Sequence, residues 1–318
     1  MTTDALPALP DSNTIEPIAA PLSPRQLIWR RFRKHRMALI GAIGIGLLLV
    51  FIIVGSMIVP EPATRDGNLR ARLLAPTAGH WFGTDTNGYD VFNRIIYGGQ
   101  ISLAIGVLAV VMEITLGTVL GGIAAFYGGW LDALIMRFTE AMLAIPQLFL
   151  LIVLAKFLGH DLPDINILGR TFSGSVGIVV IVIGGTSWMY LARIVRANML
   201  SLREMEYIYA AKALGASDRR IFLNHLVPNT LGIIIVSATL GLAGAILSEA
   251  YVSFLGLGVQ SSTPTWGNMM DQAQSFMVQG VWWLWFFPSL FIVFTILCIN
   301  LVGDGLRDAL DPRSGRHL

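Results

Sequence analysis

Residues Tyr207 to Asn229 read YIYAAKALGASDRRIFLNHLVPN. They lie between two apolar blocks, Val176–Ala192 and Leu231–Leu247, inside a connection of 38 residues that runs from 193 to 230. A connection that long is ordinarily polar and loose, yet this one is rich in alanine, the strongest helix former. Tyr207, Ala210, Ala211 and Leu214 recur at i, i+3, i+4 and i+7, which places them on one helical face. Gly215 then supplies a helix stop, Ser217 a cap for a second helix, and Pro228 an opening for the next apolar block. The stretch is a helix–turn–helix with small residues at its tip. Physical chemistry leaves two readings of it: an amphipathic surface helix, or a segment that docks into a groove on a partner.

The chain around it has 318 residues, of which 54% are hydrophobic and only 13% charged, and its mean hydropathy is +0.67. Soluble domains carry about 25% charged residues, so the means of covering a water-facing surface are missing. Apolar residues come in blocks of 17 to 26: Met37–Val59, Ile101–Phe126, Ala141–Leu158, Val176–Ala192, Leu231–Leu247 and Val281–Val302. These features exclude a cytosolic enzyme, a disordered protein and a disulfide scaffold. An all-α polytopic membrane protein with six transmembrane helices is expected. At ~1.5 Å per residue the shortest blocks reach roughly 26 Å, which suits helices enclosed in a bundle. The first block follows a long polar stretch and has no small-residue cleavage site after it, so it reads as an uncleaved anchor.

Orientation follows from lysine and arginine. Sixteen of the 22 fall in segments 1–36, 127–140, 193–230 and 303–318, and six on the other side. Basic residues concentrate on the cytoplasmic side, so both termini are expected there, in a multi-pass protein of the cell membrane. Residues 1–24 have no periodicity and read as a disordered tail. Pro24 to Arg36 sets Leu27, Ile28 and Phe32 among Arg30, Arg31, Arg33, Lys34 and Arg36, which reads as a short helix on an anionic membrane surface rather than a nucleic-acid contact.

Chemistry-bearing residues are few. The five histidines are scattered without ligand spacing, and Cys298 has no partner cysteine. Lys34, Lys156 and Lys212 are the only lysines; none follows glycine or precedes Ser or Thr, so no phosphate-cradling loop is present. His160, Asp161 and Asp164 cluster in what reads as a solvated loop. Glycines 41, 44 and 46, and 117, 121 and 122, remove bulk where helices approach closely. Glu113 stands in mid-span, where a carboxylate costs ~2.5 kcal/mol or more, so it should face the bundle interior or water. Either a place in a pathway or gate, or a hydrogen bond to a neighbouring helix, accounts for it.

The Tyr207–Asn229 stretch resembles the coupling loop of ABC importer permeases, a pattern of Glu-Ala-Ala, then Gly, Ile and a closing Pro. Ala210, Ala211, Gly215, Ile221 and Pro228 match, with His225 as in the peptide-importer branch; Tyr209 stands where the family often has Glu. Further ordered blocks are similar to the C-type permease subunit of dipeptide, oligopeptide and nickel importers. They are HWFGTDTNGYD (80–90) with Arg94, YGGQISL (97–103), YGGWLD (127–132), LAIP (143–146), YLARIVR (190–196), EAYVSFLGLG (249–258), PTWGNM (264–269) and NLVGDGLRDALDPR (300–313). Tyr89 replaces a common Arg and Glu140 a common Asp. The resemblance runs from about Pro24 to Arg313.

That resemblance implies a type I importer fold, paired with a homologous second permease subunit, two ATPase subunits and an extracytoplasmic binding protein. It implies no catalysis, metal or cofactor on this chain, since ATP and magnesium belong to the ATPases. The expected parts are a tail (1–24), an N-terminal helix, span and outer loop (25–97), and a permease core (98–312) with its coupling loop at 203–228. The ATPase-coupling residues are expected to be Tyr207, Tyr209, Ala210, Ala211, Leu214, Gly215 and Ile221. Glu113, Glu249, Trp266 and Asn268 are pathway or gate candidates. Trp81, Asp85 and Asp90 are candidates for binding-protein contact, although either outer loop is equally readable as a brace for the bundle. Di- or oligopeptides are the expected cargo. Nickel or another chelated metal is the alternative, and a secondary transporter using Glu113 a distant one.

Overall fold

A computed structural model describes residues 23–59, 67–158, 163–167 and 170–311. Most of the expected N-terminal tail, together with His160 and Asp161, lies outside them. Helix α1 (Pro24–Lys34) begins at a capping box in which the Ser23 hydroxyl accepts from the Gln26 N–H and the Gln26 side chain accepts from the Ser23 N–H. The basic segment does not run on into the first span. It breaks at His35, whose Nδ1 accepts from the Ala38 N–H at 3.0 Å and caps α2 (Arg36–Ile58).

A long loop leads to α3 (Val91–Tyr127), a single helix of 37 residues that runs through the expected part boundary at 97/98, so the two parts share it. The third apolar block is not one helix. α4 (Gly129–Leu143) and α5 (Gln147–Leu158) meet at 93°. Pro146 has no N–H to donate and disfavours helical geometry at Ile145, which ends α4 within the apolar run. Among the described residues five helices are long and apolar enough to cross a membrane, or six spans if the bent pair counts as one.

A three-residue hairpin, β1 (Ile165–Ile167) with β2 (Arg170–Phe172), precedes α6 (Gly174–Arg203). Most of the loop expected from residue 193 is thus the continuation of α6. It is followed by α7 (Glu206–Ala213) and α8 (Asp218–Ile221), and a π turn at Phe222–Leu226 joins α8 to α9 (Val227–Phe254). A short helix, α10 (Trp266–Ala273), and the last span, α11 (Trp283–Leu310), follow.

α3 and α6 pack along most of their length with α9 against both, and α2 and α11 form a second pair beside them. Small residues set the spacing. A Cβ built on Gly121 of α3 would strike the backbone of Ala192 on α6, and one on Gly41 of α2 would lie 2.6 Å from the Cys298 carbonyl of α11. Gly46 is the exception among the expected packing glycines, with open space around it. At one end of the bundle Ala125, Met199, Ile208, Ile221 and Leu226 meet in one apolar cluster. At the other, Val91, Ile95, Met269, Trp283 and Leu284 do the same.

Candidate functional site

Three places in this frame hold the residues of interest. At the first, α7 is held by one buried side chain. Ile208 is 0% exposed among Ala125, Met199, Ile221 and Leu226, while Tyr207, Tyr209 and Ala210 face outward and Leu214 is 89% exposed. The stripe Tyr207–Ala210–Leu214 is thus presented to whatever lies beyond, with Ala211 half-buried beside it. Gly215 takes φ +80° with no atom within 4 Å of a built Cβ, so it is there for backbone conformation and not for space. The Ser217 hydroxyl accepts from the Arg220 N–H and starts α8.

Ile221 departs from expectation. It is 2% exposed and packs inward, so it fixes the segment to the bundle instead of meeting a partner. A proline-free apolar residue in a polar stretch is compatible with either role; only its neighbours decide. Arg203 adds a polar tie by donating to the carbonyls of Ala125 and Phe126 at the end of α3. Two of the motif blocks meet nearby: Arg196 of α6 forms a bidentate pair with Asp132 of α4, with Nη2 donating to Oδ2 at 2.6 Å.

The second place is a cleft of about 750 Å³, open on one side of the subunit and lined by α3, the α4–α5 break, α6 and α9, with Tyr190 and Tyr251 exposed at its mouth. Glu113 lines it from α3, Tyr190 from α6 and Tyr251 from α9, and Pro146 and Gln147 come from the break. Glu113 is 7% exposed and makes no hydrogen bond or ion pair among the described residues. The bare α-carbon of Gly241 leaves room for its carboxylate, since a Cβ there would lie 2.8 Å from Oε2. The expectation of a hydrogen bond to a neighbouring helix is therefore not met. Tyr190, Tyr251 and Gln147 carried no signal of their own in the sequence, because which face of a span meets a cavity depends on the neighbouring helices. Pro146 inside an apolar run was the one local sign of the break.

The third place holds the remaining pathway candidates. Glu249, Trp266 and Asn268 are 0%, 0% and 2% exposed in this subunit and do not line the cleft of Glu113; they hold together the corner at the Trp283 end of the bundle. Ser102 donates to Glu249 Oε2 at 3.0 Å and Ser253 to Oε1 at 2.8 Å, while the Trp266 N–H donates to the Ser102 hydroxyl. The Trp266 indole donates to the Ile95 carbonyl at 3.0 Å. Asn268 completes a capping box with Thr265 and donates to the carbonyls of Val259, Gln260 and Thr263. Buried polar groups must find partners, and in this corner they satisfy one another.

Asp85 is held inward for the same reason. Its Oδ1 accepts from the N–H groups of Asn87 and Tyr89 at 2.8 and 2.9 Å, and Oδ2 faces Arg94 at 3.5 Å, with both side chains buried. Asp90 caps α3 by accepting from the Asn93 N–H and pairs with His80 at 2.7 Å, so it too serves the loop. Trp81 remains presentable: it is 64% exposed and stacks edge-on to Phe92 at 5.0 Å. Asp85→Asn keeps the Oδ1 contacts and removes the charge facing Arg94. It is expected to lower the stability of the purified subunit by about 1–3 kcal/mol, read as a drop in melting temperature in detergent. The affinity of the assembled complex for an extracytoplasmic partner should stay unchanged.

Residues 117–316 match the family model described as binding-protein-dependent transport system inner membrane component. Residues 23–76 match the N-terminal transmembrane domain of oligopeptide transport permease C. The chain is 38% identical over 295 residues to the dipeptide transport system permease protein DppC of Bacillus subtilis strain 168, covering 93% of this chain and 88% of the relative. It is 40% identical over 304 residues to the protein of the same name from Alkalihalophilus pseudofirmus, covering 96% and 95%. The glutathione transport system permease protein GsiD of Escherichia coli O6:K15:H31 strain 536 is 40% identical over 291 residues, covering 92% and 91%.

Proposed function

The chain belongs to the family of binding-protein-dependent transport system inner membrane components, and from that premise we propose that it is a permease subunit of an ATP-driven importer of di- or oligopeptides. Its work needs a homologous second permease, two ATPases that carry the ATP and magnesium, and an extracytoplasmic binding protein. Both termini lie in the cytoplasm in this reading, because the basic residues of α1, the end of α6 and α7–α8 gather at the Ile208 end of the bundle. Relatives named for dipeptide and glutathione transport favour peptides as cargo over a chelated metal. Membership of the family also sets aside a secondary transporter built on Glu113.

One observation carries the mechanism: α7 is anchored by Ile208 on one face and bare on the other. Such a helix can seat in a partner's groove and transmit its movement as a rigid body. Through the cluster around Ile208 it is tied to α3 by Ala125, to α6 by Met199, and to α9 by way of Ile221, Leu226 and Ile234. α3 and α9 also carry Glu113 and Gly241 in the cleft. When ATP draws the two ATPases together, displacement of α7 is delivered to the helices that line the cleft, which opens alternately to either side. Tyr209 fills the place of the usual glutamate and meets the groove by aromatic contact.

Gly215→Trp and Ala211→Arg test this. Neither position is in the buried core, so both variants should insert and assemble. Peptide uptake by the reconstituted importer should fall by about tenfold or more, since the left-handed turn is strained in one variant and the exposed tip is altered in the other. Uptake near the wild-type rate in both would overturn the coupling role.

A further inference from the structure

We propose that Glu113 is the counter-charge for the α-ammonium group of the peptide as it passes the middle of the membrane. The inference rests on the peptide-importer reading and adds a recognition step within the permease itself. Three observations on α3, α9 and the α4–α5 break support it.

Glu113 as a whole residue is 7% exposed, its carboxylate borders the cleft of about 750 Å³, and it makes no hydrogen bond or ion pair among the described residues. Among the described residues it is also the only Asp, Glu, Lys, Arg or His in the cleft wall. A helix interior offers easy substitutes for an idle carboxylate, and a buried polar group without a partner calls for one that arrives from outside. Finally, Gly241 keeps the space against the carboxylate open, where any larger side chain would press on Oε2. The cleft lies within the volume range of small-ligand sites.

The chemistry that fits is a primary ammonium with an apolar or polar neutral body. Tyr190, Tyr251, Ser187 and Ser248 offer neutral surface, and the end of α4 and the start of α5 meet in the same wall with opposite partial charges. A zwitterionic peptide is accommodated there, but the single full charge of the protein selects its amino end. The contact forms when the cleft opens to the delivered peptide and is released on opening to the other side, so it must be firm enough to admit the cargo and weak enough to let it go.

The test uses the complete importer in proteoliposomes: both permeases, the ATPases and the binding protein. Two labelled peptides of the same sequence are compared, one with a free amino terminus and one N-acetylated, each supplied at a concentration that saturates the binding protein. The wild type should take up the free-amine peptide about tenfold faster than the acetylated one, the loss expected for one charged contact. In Glu113→Gln that ratio should fall to near one, chiefly through slower uptake of the free-amine peptide. Should Glu113→Gln fail to assemble, Gly241→Ala leaves the charge in place and displaces it, and should reduce the same ratio. An unchanged ratio in an assembled Glu113→Gln or Gly241→Ala complex overturns the inference and leaves the importer reading intact. A wild-type complex that accumulates neither peptide overturns the importer reading itself.

Discussion

Aspartate in place of Ile208 is expected to reduce binding-protein-stimulated ATP hydrolysis and peptide uptake of the assembled importer to background. Ile208 is 0% exposed and sits against Ala125, Met199, Ile221 and Leu226; Arg203 and Lys212 border the same pocket, and Arg203 already donates to the carbonyls of Ala125 and Phe126. Desolvating a carboxylate in place of this apolar anchor costs on the order of several kcal/mol, which a nearby cation offsets only in part, and the remaining contacts of an eight-residue helix are few. α7 would detach while α3, α6 and α9 keep their mutual packing, so the subunit still inserts and still purifies with the second permease. Leu214→Asp is the control. At 89% exposure it costs little stability, and it should weaken association with the ATPases without melting the segment. The two variants separate anchoring from docking: thermal melting should shift in Ile208→Asp and not in Leu214→Asp. Full uptake by Ile208→Asp would mean that α7 does not transmit motion to the bundle.

The second large effect is structural. Leucine at Gly121 is expected to prevent recovery of a folded subunit. The obstacle to a side chain there is the backbone of Ala192, which has no rotamer to change, so α3 and α6 would have to separate along their seam. Ordinary overpacking costs ~1–3 kcal/mol because flexible side chains absorb it; this substitution exceeds that range. Gly46→Leu has open space around the new side chain and should be neutral. Size-exclusion profiles of the two variants in mild detergent give the comparison directly. A monodisperse Gly121→Leu subunit would show that the two helices tolerate a wider spacing than the seam implies.

Much of the frame is legible along the chain because bilayer physics acts locally. Length, apolarity and basic flanks specify α2, α3, α6, α9 and α11 one at a time, without knowledge of what each touches. Local chemistry likewise announces the turn at Gly215 and the caps at Ser23 and Ser217. Even Pro146 warns of the break between α4 and α5. That Tyr207, Ala210 and Leu214 of α7 share one face is readable from periodicity; that this face is bare follows from the burial of Ile208 on the other.

Roles that depend on a neighbour are not legible in this way. Glu113 lies inside an apolar block and Glu249 just past the end of another, and neither position tells what surrounds its carboxylate. Ser102, Ser253 and the fold of the corner around them surround Glu249 with donors and make it a brace. A glycine on another helix, 128 positions away in the chain, leaves Glu113 facing an open cleft. Asp85 and Trp81 share one loop, yet the first is turned inward to Arg94 and the second outward to solvent. The membrane as solvent determined from sequence alone that the chain spans as helices, and the coupling segment's own periodicity determined which of its residues share a face. Tertiary structure decided which polar groups are spent on one another and which remain available, because a hydrogen bond needs a partner brought into position by the rest of the fold.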